Sequence, residues 1–282
     1  MKRILVYPNH KRDHAYHWSQ RVCRELKELG AQVWAPEEAA DALGVPAVSE
    51  QEKQRMDVAV VLGGDGTMMR GAHFLLGTEV PILGINLGTL GYLTEVEPAD
   101  LSWALRQVLH GAYEVEPRLM LEAQVKPWQG QWSQTFYAVN DFVIHRNLMD
   151  GLLLVKTKVN QADLAQFRAD GVIVATPCGS TAYNFSAGGP IMSPVADNMI
   201  LTPLCSHSML DRSIILMGSD RLEFQIGASG KGHKALLSED GVGVLELGEG
   251  DEVRIKKSRY AFRMIKLLNR SFYEILQKKM RP

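Results

Sequence analysis

Apolar residues in the first third of the chain come in short runs separated by longer amphipathic stretches. Residues 4–7 and 32–35 read as strands. Residues 58–62 and 81–86 are continuous apolar runs suited to strands buried on both faces. Residues 14–29 repeat apolar positions at helical spacing (Trp18, Val22, Leu26, Leu29) and stop at Gly30, a common C-terminal signal. Residues 67–76 and 98–110 also read as helices, the second with Leu101, Leu105, Val108 and Leu109 on one side. Strands alternating with helices predict an α/β domain with a doubly wound, mostly parallel sheet.

Near Gly111 the pattern changes. Residues 113–125, 135–146, 152–159, 162–168, 172–175, 214–217, 221–226, 235–238 and 242–247 read as strands with few helices between them. Leu222-Glu223-Phe224-Gln225-Ile226 alternates cleanly, as a sheet with one solvated face would. This predicts a β-rich, sandwich-like second domain over 116–256, after an α/β domain over 1–115. A last segment, 265–279, has Ile265, Leu268, Phe272, Ile275 and Leu276 at helical spacing and reads as a closing helix.

Composition narrows the class of protein. Thirty-one basic and 32 acidic residues leave a net charge of −1, which gives no general drive toward nucleic acid or an anionic membrane. Cys23, Cys178 and Cys205 are far apart and form no Cys-x-x-Cys pair, so a reducing cytoplasm is expected rather than a disulfide framework or a structural zinc site. No uncharged apolar run approaches the ~20 residues of a membrane helix. His10, His14, His17, His73 and His110 lack metal-ligand spacing, and no protein metal site is expected.

Two stretches carry chemistry. Gly63-Gly64-Asp65-Gly66 follows a buried strand and precedes a helix, a place where backbone N–H groups and the helix dipole bind phosphate. It is not a Walker A loop, having no Gly-Lys-Ser/Thr, and Met69 stands where a dinucleotide fingerprint has its third glycine. Asp65 is anomalous there. A carboxylate about 4 Å from a phosphate charge costs roughly 4 kcal/mol at an effective dielectric near 20. A divalent cation between them, or a role in taking a proton from an attacking hydroxyl, makes that cost tolerable; both belong to phosphoryl transfer. The plainer alternative is that Asp65 caps the helix beginning at Thr67.

The second stretch runs from Phe167 to Pro190. Arg168 and Asp170 precede a strand, and Thr176-Pro177-Cys178-Gly179-Ser180-Thr181-Ala182-Tyr183 follows it. Small hydroxyls and free N–H groups suit a polar ligand, and Tyr183 offers a face to a base or sugar. The alternative is a strand–helix connection capped by Ser180 or Thr181. In Val139-Asn140-Asp141-Phe142 strand alternation turns either Asn140 or Asp141 inward, unless the strand is irregular and the carboxylate solvated.

Together these motifs resemble the NAD kinase family. The resemblance rests on Gly63-Gly64-Asp65-Gly66-Thr67, the stretch from Gly84 to Leu93, Asn140-Asp141, Asp170-Gly171 followed by the Thr176–Tyr183 turn, and Ser238-Glu239-Asp240-Gly241, all in family order. It implies a kinase that uses ATP, or polyphosphate, with a divalent metal such as Mg2+ to phosphorylate the adenosine-ribose 2′-hydroxyl of NAD. By the same resemblance Asp65 is the general base. Gly63, Gly64, Gly66, Thr67, Asn86 and Tyr92 belong to the binding residues of the loop side. Asn140, Asp141, Arg168, Asp170, Thr181, Ala182, Tyr183 and Ser186 hold NAD. The β-rich domain carries the NAD pocket and the contacts of a homodimer or homotetramer, and 257–282 return to the first domain. The family's usual Glu is Asp141 here, and Cys178 replaces a Thr. A lipid kinase shares the glycine loop but not the Ser180-Thr181-Ala182-Tyr183 turn. A catalytically silent NAD or NADP sensor would not need Asp65.

Overall fold

The computed structural model describes residues 1–89, 91–147, 151–227, 234–268 and 270–280. Leu90 of the 84–93 stretch, Asn269 of the expected closing helix and the last two residues lie outside them. The chain divides into two compact units, one of Met1–Pro117 with Phe262–Pro282 and one of Arg118–Ala261.

The first unit contains β1 (Arg3–Pro8), α1 (His17–Glu28), β2 (Gln32–Trp34), α2 (Glu37–Leu43), α3 (Glu50–Lys53), β3 (Val58–Gly63), α4 (Asp65–Phe74), β4 (Ile82–Asn86) and α5 (Leu101–His110). Its strands pair in parallel in the order β2-β1-β3-β4. Every residue of β3 and β4 is buried, as a strand covered on both faces requires. The residues from Val22 and Leu26 of α1 to Leu105 and Val108 of α5 form one core with Val60, Leu62, Leu83 and Ile85.

Two expectations change here. The helix expected from His14 begins at His17, because the Asp13 carboxylate accepts the Trp18 and Ser19 N–H groups at 2.8 and 2.9 Å, and Ala15 and Tyr16 are left-handed. Nor do residues 265–279 form one helix. Residues up to Lys266 finish a long strand whose Met264 pairs with Ile82 in parallel. The helix in this region, Phe272–Met280, starts six residues later. Glu95 ends the strand by accepting the Leu267 and Leu268 N–H groups and the Lys266 ammonium.

The second unit takes β5 from Arg118 on (Glu114–Lys126), β6 (Phe136–Ala138), β7 (Asp141–Arg146), β8 (Leu153–Val159), β9 (Ala162–Ala169), β10 (Gly171–Ala175), a short helix α6 (Tyr183–Ser186), β11 (Asn198–Leu204), β12 (Ile214–Met217), β13 (Arg221–Ile226), β14 (Ala235–Glu239), β15 (Val242–Leu247) and β16 to Ala261 (Glu252–Lys266). The closing helix Phe272–Met280 is α7 and belongs to the first unit. One sheet is wholly antiparallel, in the order β12-β11-β10-β7-β14-β15. Phe142, Ile144, Val172 and Val174 on one of its faces pack with Val155, Phe167, Phe224 and Ile255 of the strands opposite. Val143, Ile173, Ala175 and Ile200 on the other face form a second small cluster.

Strand β11 escaped the sequence pattern because Pro203 interrupts it. The proline is tolerated since β12 pairs only as far as Leu201, so no ladder bond is missed on that side. No helix among the described residues is long and apolar enough to cross a membrane.

Candidate active site

In the first unit, β3 ends at Gly63, Gly64 is the N-cap, and Asp65 is the first residue of α4. Gly64 makes no side-chain cap, and its carbonyl accepts the Thr67 and Met68 N–H groups. Asp65 does not cap its own helix. Its Oδ2 accepts the Tyr92 N–H and its Oδ1 the Leu93 N–H, both at 2.9 Å, and the Lys279 ammonium stands 3.9 Å from Oδ2. Gly91 makes this approach feasible, since a Cβ there would collide with Asp65 Oδ1.

Asp65 lines a cavity of about 340 Å³ with Gly64, Gly66, Thr67, Thr89 and Gly91, and with the cations Arg12, Arg70 and Lys279. Buried Thr67 accepts from Asn9 Nδ2 at 2.7 Å and from Arg70 Nη2 at 3.3 Å, so its hydroxyl anchors the loop after β1 to α4. Gly63 and Asn86 do not line the cavity. Asn86 spans its own turn through the Gly88 N–H and carbonyl. Tyr92 serves by its backbone N–H, and its ring lies 4.2 Å below the Lys279 ammonium.

The second unit has a separate cavity of about 540 Å³ on the outer face of the antiparallel sheet, lined by Asp141, Val143 and His145 at alternate positions of β7. Asn140, Arg146, Asp170, Ala182, Tyr183, Cys205, Ser238 and Asp240 also line it. Strand pairing stops at Val139 and Asn140, which form a bend between β6 and β7. The bend lets Asn140 and Asp141 share one cavity despite being neighbours. Asp240, at a left-handed φ of 47°, holds it by accepting the N–H groups of Val139, Asn140 and Asp141 at 2.9, 2.7 and 3.2 Å.

Asp141 is therefore not a solvated carboxylate. It is 3 % exposed. Burial, with the Asp240 charge second, pushes its pKa up to about 7.

The 176–183 turn is locked to this bend. Thr176 donates its hydroxyl to the Val139 carbonyl at 2.7 Å, and the Thr176 N–H donates to the Asn140 carbonyl. Gly179 sits so close that a Cβ would strike the Asn140 carbonyl oxygen. Ser180 does not cap a helix; its hydroxyl donates to the Pro177 carbonyl at 2.6 Å and accepts the Met192 N–H. Thr181 likewise turns its hydroxyl to the Cys178 carbonyl. These bonds present Ala182 and the half-exposed ring of Tyr183 to the cavity.

Thr181 and Ser186 lie beside that lining rather than on it, and Arg168 is exposed and outside it. The arginine that pairs with Asp170 is Arg146, through Nε at 2.6 Å. Arg12, Arg70, Arg146, Asp240 and Lys279 carry no local signal in the sequence. The one cue was the Ser238-Glu239-Asp240-Gly241 stretch, whose Asp240 had no assigned role.

Models of the ATP-NAD kinase N-terminal and C-terminal domains match residues 4–113 and 139–267. An NAD kinase of Lachnoclostridium phytofermentans is 36% identical over 99% of both chains. One from Carboxydothermus hydrogenoformans is 39% identical over 84% of this chain and 85% of its own. Among solved structures, yeast NADH kinase complexed with NADH superimposes with a TM-score of 0.90, at 25% identity over 99% of this chain and 87% of its own. An NAD kinase from Archaeoglobus fulgidus in complex with ATP gives 0.75 at 25% identity, over 99% of this chain and 98% of its own.

Proposed function

The chain belongs to the ATP-NAD kinase family, and from that premise we propose that it moves the terminal phosphoryl group of ATP to the adenosine-ribose 2′-hydroxyl of NAD, with Asp65 as general base. It is an NAD kinase, and NAD and ATP are its substrates. The observation that carries the finer reading is the orientation of Asp65. The carboxylate sits at the N-terminal turn of α4 in a cavity with three cations, is not consumed by capping, and is aimed by two backbone N–H groups. Each oxygen accepts one of those bonds and keeps a second lone pair for an incoming hydroxyl.

In the reaction the ribose O–H gives its proton to Asp65 while its oxygen bonds to the γ-phosphorus. The bond to the bridging oxygen breaks, and ADP leaves with that electron pair. Little else is asked of the protein beyond position and charge. The α4 N-terminus and Arg12, Arg70 and Lys279 supply positive charge to the donor phosphates. In the other cavity Asn140, Asp141 and Asp170 offer hydrogen-bond partners to ribose hydroxyls and the carboxamide. Tyr183 offers a ring for stacking on a base.

Among the described residues no group of three or more His, Cys, Asp or Glu side chains could hold a metal ion. A divalent cation such as magnesium, arriving with the triphosphate, would offset the repulsion between Asp65 and the phosphates.

A coupled assay for NADP with NAD, Mg2+ and either ATP or polyphosphate tests this reading, with NADH as an alternative acceptor. The expected result is ATP-dependent appearance of the 2′-phosphorylated dinucleotide. A product phosphorylated elsewhere on the ribose would overturn it.

A further inference from the structure

The C-terminal helix delivers a cation to the phosphate cavity of the first unit. Phe272, Ile275 and Lys279 are spaced three and four residues apart on one face of α7. Tyr92 meets both ends of that face: its ring lies 6.1 Å from the Phe272 ring and 4.2 Å from the Lys279 ammonium. The backbone of the same Tyr92 holds Asp65. Helix, tyrosine, lysine and carboxylate thus form one connected group.

Charge in the cavity is unbalanced. Arg12, Arg70 and Lys279 face the single carboxylate of Asp65. The Arg12 guanidinium has no ion-pair or hydrogen-bond partner among the described residues, and it lies 3.4 Å from where a Cβ on Gly64 would be. Arg70 is bound to Thr67 and Tyr7, neither of them anionic. Lys279 reaches Asp65 only at 3.9 Å, well beyond the 2.7–2.9 Å of a charge-assisted hydrogen bond. Two excess positive charges around a glycine loop match a polyphosphate chain.

We infer that Lys279 is a ligand of the donor's terminal phosphate, carried to it by the C-terminal helix. The inference rests on Asp65 as the base. A hydroxyl deprotonated by Asp65 lies within hydrogen-bond reach of it, so the phosphorus under attack lies beside Asp65, and Lys279 is the cation placed there. Arg12, above Gly64 and Gly88, serves phosphates nearer the loop. Bound donor replaces a loose ion pair with a short contact, so the chain's last helix is part of the donor site.

The test compares wild type, Lys279→Ala, Lys279→Arg and Arg12→Ala by steady-state kinetics, and by calorimetry with Mg-ATP and Mg-ADP. Lys279→Ala should raise the ATP KM about tenfold or more and leave the NAD KM and ADP affinity unchanged. Lys279→Arg should recover most of the ATP affinity, and Arg12→Ala should weaken ATP and ADP alike. An unchanged ATP KM in Lys279→Ala overturns the inference. So does a loss shared equally by ATP, ADP and NAD, which would mean that the helix had only loosened. Should the alanine variant fail to fold, as judged by melting, Lys279→Gln carries the same comparison. Asp65→Asn separates the two ideas: full turnover in that variant would sink the base assignment, while the ATP-against-ADP contrast still judges Lys279.

Discussion

The Asp65 carboxylate turns away from the N–H groups of its own helix and is held by those of Tyr92 and Leu93. In the sequence it stands between two roles, helix cap and chemical group. In the folded chain neither oxygen is spent on the cap. Nothing local to Gly63-Gly64-Asp65-Gly66 encodes that choice; it depends on Gly91, whose missing side chain leaves room for the carboxylate. Asp141 was legible as an oddity because a carboxylate inside a strand run needs an explanation. Its raised pKa was not, because that follows from burial and from Asp240, 99 residues on. Asp141 shares its cavity with His145, Arg146, Asp170 and Asp240. A folded-state pKa near 7, above the ordinary value of 3.8, means that the native state holds a proton the unfolded chain has released. Stability from this residue is therefore full below about pH 4 and is lost as pH rises through 7, with an upper limit of about 4 kcal/mol. Melting curves should show the wild type losing stability as pH rises from about 4 to 7 and levelling off above that. Asp141→Asn should lose much less, and parallel curves for the two proteins would contradict the assignment.

At the scale of elements, the buried strands β3 and β4 and the helices α4 and α5 were readable because burial on both faces and helical spacing write themselves into short windows. Residues 265–279 misled because apolar spacing in Ile265 and Leu268 belongs to a strand end and a turn, which Glu95 fixes from far away in the chain. The bend at Val139 and Asn140 is a further case. Strand alternation allowed only one of Asn140 and Asp141 to face inward, yet three N–H bonds to Asp240 break the strand and admit both. The turn that follows β10 packs on this bend through Gly179. Gly179→Ala should push the Asn140 carbonyl away and destabilise the protein by about 1–3 kcal/mol, the usual cost of overpacking. It should also weaken NAD binding while sparing ATP. Denaturant unfolding and calorimetry with each nucleotide would check this, and equal losses for both nucleotides would count against it.

At the scale of the molecule, each unit has its own core and its own polar cavity, and each is matched by its own family model. The chain leaves the first unit after Pro117 and rejoins it at Phe262, bringing back α7 and Lys279. Composition and local pattern could show a change of texture near Gly111. They could not show that the last helix supplies a cation beside Asp65, since that placement belongs to the closed fold.

Removal of the acceptor hydroxyl's proton by Asp65 is the step on which the proposed reaction turns. Its most direct test is the turnover of Asp65→Asn with NAD and Mg-ATP, with the affinity of both substrates measured on the same preparation. The expected result is a kcat lower by about 10²–10⁴, the usual worth of a general base, with ATP and NAD still bound. An Asp65→Asn enzyme that keeps its full rate would contradict it.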